Sequence, residues 1–238
     1  MAEICLACGL VGFISTIITL SLGIRIISKY IQYKQKNLLY VGLTFLLMWS
    51  AWWPSSISFI TYLISEKGLP FEAYIFIGNF FLPIALITWI IPMSNLLGFK
   101  ELTRKIAFIS CVIYCIIFDI VVIYYVFNPI ELGYLRNPLV PIYSLSFYML
   151  IMPIIAVLVL LGFKFAYESL KARDKEIRLK GKFLFLSFLI ISIGVILEIF
   201  LPGDFFLLIS RTIIISGLIT LYIGFILPKR IKGLLLKS

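Results

Sequence analysis

Residues 183–201, FLFLSFLIISIGVILEIFL, and residues 205–227, FFLLISRTIIISGLITLYIGFIL, stand on either side of the short link Pro202-Gly203-Asp204. Each run supplies the roughly 20 apolar residues that a helix needs to cross about 30 Å of hydrocarbon. Each also carries a single charged residue, Glu198 in the first and Arg211 in the second. So short a link makes the two helices antiparallel neighbours. A membrane helical hairpin is therefore the unit from which the rest of the chain is read.

Five more runs of spanning length precede it, at 4–24, 38–64, 73–97, 106–127 and 139–163, and the seven together take 162 of the 238 residues. The chain is 62% hydrophobic and 13% charged, with a mean hydropathy of +1.12. A soluble domain carries about 25% charged residues, so a water-soluble globular fold is excluded. The longest piece between runs is the 19 residues from Lys164 to Lys182, too short for an independent domain. The expected fold is all-α, a polytopic membrane protein with one seven-transmembrane helix bundle over residues 1–238.

Orientation follows from Lys and Arg in the short loops, because translocating them is disfavoured. Arg25, Lys29, Lys34 and Lys36 occupy one loop, and Lys100, Arg104 and Lys105 another. Lys164, Lys171, Arg173, Lys175, Arg178, Lys180 and Lys182 occupy a third, and Lys229, Arg230, Lys232 and Lys237 the tail. That is 18 of the 21 basic residues on one face, against Lys67 and Arg136 on the other. The N-terminus is expected outside the cell membrane and the C-terminus in the cytoplasm. The net charge of +10 is explained by this topology and by anionic lipid headgroups rather than by nucleic acid. Residues Met1 to Cys5 lack a basic leader segment, so no cleavable signal peptide is expected.

The absence of histidine removes the Ser-His-Asp triad, His-ligated zinc and haem, and the commonest general base. Residues 205–227 contain no Lys for a retinal Schiff base, and Gly203-Asp204 follows Leu201-Pro202 rather than completing a glycine-x-glycine-aspartate protease motif. Neither a Gly-rich phosphate loop nor a magnesium-binding carboxylate cluster is present. No enzymatic activity, cofactor or metal is expected. Cys5 and Cys8 lie three apart near one end of the first run, and Cys111 and Cys115 four apart near the opposite end of the fourth. Each pair shares a helical face and reads as buried small hydrophobes rather than as a redox or metal site.

Three charged residues fall well inside the runs: Asp119, Glu198 and Arg211. At 1.5 Å per residue they lie about 12, 5 and 9 Å below the outer ends of their helices. Each costs about 2.5 to 3.5 kcal/mol if unpaired at the bilayer centre, so such groups face the bundle interior and find partners. Glu198 and Arg211 are placed to meet across the hairpin. Ser187, Ile191, Gly194 and Glu198 share one face of the first helix, and Ser210, Gly217, Thr220 and Gly224 supply the small residues of the second. The set reads either as a structural ion pair, with Asp119 protonated or joining it, or as an anchor for an acidic ligand, a cation or protons.

Other polar and aromatic residues fall at comparable depth. Asn79 lies in the third run, and Tyr143, Ser144 and Ser146 in the fifth. The second run carries Trp49-Ser50-Ala51-Trp52-Trp53-Pro54-Ser55-Ser56 at its middle, away from the headgroup belt where tryptophan usually sits. Pro83 and Pro153 should bend their helices and free backbone groups that need internal partners. The expected ligand-binding pocket opens outward, with Asn79, Asp119, Tyr143, Glu198 and Arg211 as walls and Trp49, Trp52 and Trp53 as floor. The alternative for the tryptophans is ordinary core packing.

On the cytoplasmic side, 164–182 reads as a charged extension of the fifth helix with the acid-first pairs Asp174/Arg178 and Glu176/Lys180, broken at Gly181. The tail after Pro228 is expected to rest at the interface. Seven helices also accommodate a three-plus-one-plus-three repeat, and the run ends Ile90-Ile91-Pro92 and Ile226-Leu227-Pro228 match across such halves. The proline-glutamine signature of the SWEET sugar transporters is absent.

The stretch from Gly181-Lys182-Phe183-Leu184-Phe185 through Arg211 to Gly224-Phe225-Ile226-Leu227-Pro228-Lys229 resembles the closing part of archaeal seven-transmembrane proteins of unknown function. It is also similar to the seven-helix sensor modules that precede soluble signalling domains in some prokaryotic histidine kinases. The resemblance implies a receptor-like module, with Arg211 and Pro228 at matching positions. No kinase or cyclase domain follows here, so it implies signalling through a separate cytoplasmic protein. The expected function is a membrane sensor that binds a small-molecule ligand in the outer half and signals through loop 164–182. The alternatives are a small-solute or ion transporter or channel, and a structural membrane subunit.

Overall fold

The computed structural model describes residues 6–201 and 203–235. Pro202 of the hairpin link, Cys5 of the first cysteine pair and Lys237 of the tail lie outside the described residues. The elements are almost all helical: α1 (Leu6–Tyr33), α2 (Lys36–Met48), α3 (Trp53–Ser65), α4 (Phe71–Asn79), α5 (Leu82–Leu96), α6 (Glu101–Phe127), α7 (Pro129–Leu132), α8 (Leu145–Leu170), α9 (Lys175–Phe200), α10 (Asp204–Ile226) and α11 (Lys229–Leu235). A two-stranded antiparallel hairpin, β1 (Gly133–Asn137) and β2 (Val140–Tyr143), sits between α7 and α8. Six helical segments among the described residues are long and apolar enough to cross a membrane: Leu6–Tyr33, Phe71–Leu96, Glu101–Phe127, Leu145–Leu170, Lys175–Phe200 and Asp204–Ile226. The chain divides into two compact units, Met1–Pro92 with Phe99–Ala156, and Met93–Gly98 with Val157–Ser238.

Helix α6 has the surface that lipid requires. Along α6, Ile106, Ile109, Ile113, Ile116, Ile117, Ile120 and Ile123 are all exposed, while Cys111, Cys115, Phe118 and Val122 turn inward. In water, such a stripe of isoleucine is a liability; in hydrocarbon it carries no penalty.

The apolar run 38–64 predicts one helix, and the structure breaks it. Pro54 has no N–H for the Ser50 carbonyl, so residues Ser50–Trp52 tighten into a 3₁₀ turn. There the Trp52 N–H bonds the Trp49 carbonyl at 3.0 Å, and the Trp53 N–H takes the Ser50 carbonyl. Pro54 then sits in the first turn of α3, where no donor is needed. The same logic separates α4 from α5 at Phe80–Phe81, just before Pro83.

The fifth run, 139–163, also departs from a single helix. Asn137-Pro138 is a turn signal, and the Asn137 Oδ1 accepts from the Leu139 N–H at 2.9 Å. The chain folds back there, and residues 140–143 pair with β1 before α8 begins at Leu145. Gly133 enters the hairpin at φ 153°, where a Cβ would collide with the Ile142 carbonyl oxygen.

The basic segment 164–182 is mostly helical, as the charge spacing predicts, but its break lies elsewhere. Helix α8 continues to Leu170 and α9 starts at Lys175. Asp174, placed by the i,i+4 pattern opposite Arg178, instead caps α9, its Oδ1 accepting from the Glu176 and Ile177 N–H groups at 2.6 and 3.3 Å. Gly181 is helical and serves close packing: a Cβ there would lie 2.8 Å from the Leu170 nitrogen.

Candidate functional site

Within the unit that holds α9 and α10, these two helices form the tightest pair. A Cβ on Gly194 would lie 2.5 Å from Ile214 Cγ1, one on Gly217 2.6 Å from Ile191 Cγ1, and one on Gly224 2.8 Å from Leu184. Glycines on both helices thus admit the facing branched side chains, the packing that small residues permit in lipid. Ser187 and Ser210 are buried in the same seam. Thr220 is not part of it; its hydroxyl returns to the Ser216 carbonyl of its own helix at 2.8 Å.

The seam carries the expected ion pair near its Gly203 end. Arg211 Nε donates to Glu198 Oε1 at 3.4 Å, with side-chain exposures of 4% and 22%. A buried arginine must keep its donors occupied, and Glu198 is not its sole interaction. Removing one member of such a pair strands the other charge, which is far more costly than replacing both.

The other unit contains the remaining candidates. Trp49 and Trp52 are buried, with ring centroids 4.6 Å apart, and Trp53 packs on Phe81 at 5.5 Å. Ser50 Oγ donates to the Gly78 carbonyl at 3.3 Å, so the tryptophan break lies against the turn of α4 that carries Asn79. Asn79 is buried, donates to the Ile75 carbonyl at 2.9 Å and hydrogen-bonds Tyr143. Tyr143 belongs to β2 rather than to a helix, because the Asn137-Pro138 turn intervenes. Burial and the neighbouring Tyr74 push its phenol well above the usual range, against the Asn79 hydrogen bond. It therefore acts as a neutral hydrogen-bonding group. Asp119, on α6, is half-buried, and its Oδ1 is enclosed with no hydrogen-bond partner.

Hydroxyl groups that composition alone does not single out organise this unit. The Ser55 and Tyr74 hydroxyls bond each other, and both reach the Leu139 carbonyl, at 3.2 and 3.0 Å. Ser58 bonds the Pro138 carbonyl and accepts from the Leu69 N–H at 2.9 Å. The tip of the β hairpin is thereby fastened to α3 and α4. Thr16 and Ser56 join α1 to α3 at 2.7 Å, and Thr44 and Thr88 join α2 to α5 at 3.0 Å. Around the prolines, Cys115 Sγ donates to the Pro83 carbonyl at 3.2 Å, and the Tyr114 hydroxyl to that of Leu150 in the turn before Pro153. Cys111 and Cys115 are free thiols, while Cys8 is buried and disulfide-bonded.

At the Lys175 end of α9, Glu176 pairs with Lys180 at 3.1 Å and with Lys232 of α11. The Glu176 carboxylate raises the Lys232 ammonium above its usual range. The chain matches no protein-family model, and no curated protein matches it.

Proposed function

We propose that this multi-pass protein crosses the cell membrane seven times, with its N-terminus outside, and works as a receptor-like sensor. The broken segment α2–α3 supplies the seventh crossing. An acidic small molecule competes with Glu198 for the Arg211 guanidinium, and the α8–α9 turn presents the outcome to a separate cytoplasmic protein. The observation that carries this reading is the continuity of α9 from Lys175 to Phe200. Its two ends hold two charge sets, Glu176 with Lys180 and Lys232, and Glu198 with Arg211. They are about 33 Å apart at 1.5 Å per residue. A ligand that displaces Glu198 removes a contact between α9 and α10, and a ligand shifts a protein only through such differential contacts.

The test uses the whole protein in lipid nanodiscs with acetate, succinate, glutamate and inorganic phosphate as probes. Thermal unfolding and tryptic cleavage at the Arg173–Lys175 turn are followed together. A recognised probe at 100 times its Kd adds about 2.7 kcal/mol and changes the cleavage rate, and Arg211→Gln abolishes both effects. If every probe leaves both readouts flat, the receptor reading fails. Saturable uptake of a probe into liposomes replaces it with transport.

A further inference from the structure

The two intramembrane carboxyl groups stand in opposite circumstances. Glu198 faces an arginine at 3.4 Å. Asp119 lies on α6 about 12 Å from Phe127 and about 27 Å from Glu101, between fully buried Phe118 and exposed Ile120, and its enclosed Oδ1 has no hydrogen-bond donor. An ionised carboxylate there would hold its charge in hydrocarbon with neither cation nor donor, the most costly arrangement available to it. A carboxylic acid bears no charge and needs far less.

Among the described residues, Asp119 has no ion-pair partner. Helix α6 packs against α4 and α7, against α5 through Cys115 and Pro83, and against the first turns of α8 through Tyr114 and Phe118. The titratable residues on those elements are Glu72 and Tyr74 of α4, Glu131 of α7 and Tyr148 of α8, with none on α5; Lys164, Tyr167 and Glu168 lie in the last two turns of α8, well beyond the first turns that meet α6. On α6 itself, Cys111, Tyr114, Cys115, Tyr124 and Tyr125 are its neighbours, and the basic residues Arg104 and Lys105 sit in the first turns. Among the described residues, none of these groups donates a hydrogen bond to Asp119 Oδ1, and the cations stand at the far ends of α6 and α8.

We propose that Asp119 is a proton-binding site within the bilayer, neutral at rest and able to exchange its proton, whereas the Glu198 carboxyl is engaged by Arg211. The ligand is the proton itself, and the inference does not depend on the receptor reading. Dicyclohexylcarbodiimide tests it, because an apolar carbodiimide reaches carboxyl groups in lipid. The carboxyl O–H adds across the reagent's C=N bond to give an O-acylisourea, which rearranges to a stable N-acylurea carrying the whole reagent mass.

The protein in nanodiscs is treated between about pH 9 and about pH 5 and mapped by peptide mass spectrometry. The expected result is a single adduct on the α6 peptide, falling by up to about tenfold per pH unit above its midpoint and absent in Asp119→Asn. Glu198 stays unmodified in the parent protein and becomes reactive in Arg211→Gln. The parent protein alone decides the matter if a variant fails to fold. An unmodified Asp119 at every pH, a pH-independent adduct, or equal reaction with a water-soluble carbodiimide overturns the proposal.

Discussion

The α9–α10 pair and the α3–α6 region meet the same problem, polar groups in an apolar environment, with different chemistry. In α9–α10 both helices run unbroken, backbones approach through Gly194, Gly217 and Gly224, and the carboxylate is matched by an arginine. In the α3–α6 region prolines interrupt the helices, serine, threonine and tyrosine hydroxyls take up backbone carbonyls, and the carboxyl of Asp119 is left unmatched. Continuous helices satisfy their own backbones and need side chains only for charge. Broken helices must find partners for the backbone first.

The sharpest way to break this comparison is to unmatch the charge in α9–α10. Arg211→Ala strands Glu198 and should cost about 3 kcal/mol, the low end of the range for buried pairs because Glu198 remains 22% exposed. Thermal unfolding in detergent checks this, and Arg211→Ala with Glu198→Ala should recover most of the loss. Next in size is Gly217→Val, whose methyls enter the space of Ile191; about 1 to 3 kcal/mol is expected, with the pair pushed apart in a cross-linking assay.

In the α3–α6 region the corresponding change is Tyr74→Phe, which removes the donor to the Leu139 carbonyl and the bond with Ser55. A loss of about 1 kcal/mol is expected, together with faster amide hydrogen exchange confined to residues 133–143. Smallest is Glu176→Gln, which releases Lys232 and should leave the unfolding temperature unchanged while speeding proteolysis after Arg230 and Lys232. The raised Lys232 ammonium sets the sign of the pH effect: the contact holds below the ordinary lysine range and is lost as pH rises through the elevated value.

Much of the architecture was legible in residue order. Runs of about 20 apolar residues can hide their backbone from lipid only as helices, so length and hydropathy gave seven runs, and six helical segments among the described residues are long and apolar enough to span. The three-residue link at 202–204 sufficed to bring Glu198 to Arg211, since a short link and helical spacing leave little choice of partner. A bend at Pro83 was also visible, because a missing N–H is a local property, but the division of 38–64 into two helices was not.

What residue order left undecided depends on contacts between distant segments. The hairpin at 133–143 borders and enters an apolar run that reads equally well as helix, and it is secured by Ser55, Ser58 and Tyr74, which lie 65 to 84 residues away. Tyr143 therefore left its expected helix, and Asp174 capped α9 instead of pairing with Arg178. Hydropathy measures how much a segment prefers lipid, and that preference belongs to the sequence. Which hydroxyl meets which carbonyl, and which carboxyl is left alone, is settled only when helices pack, and that belongs to the tertiary structure.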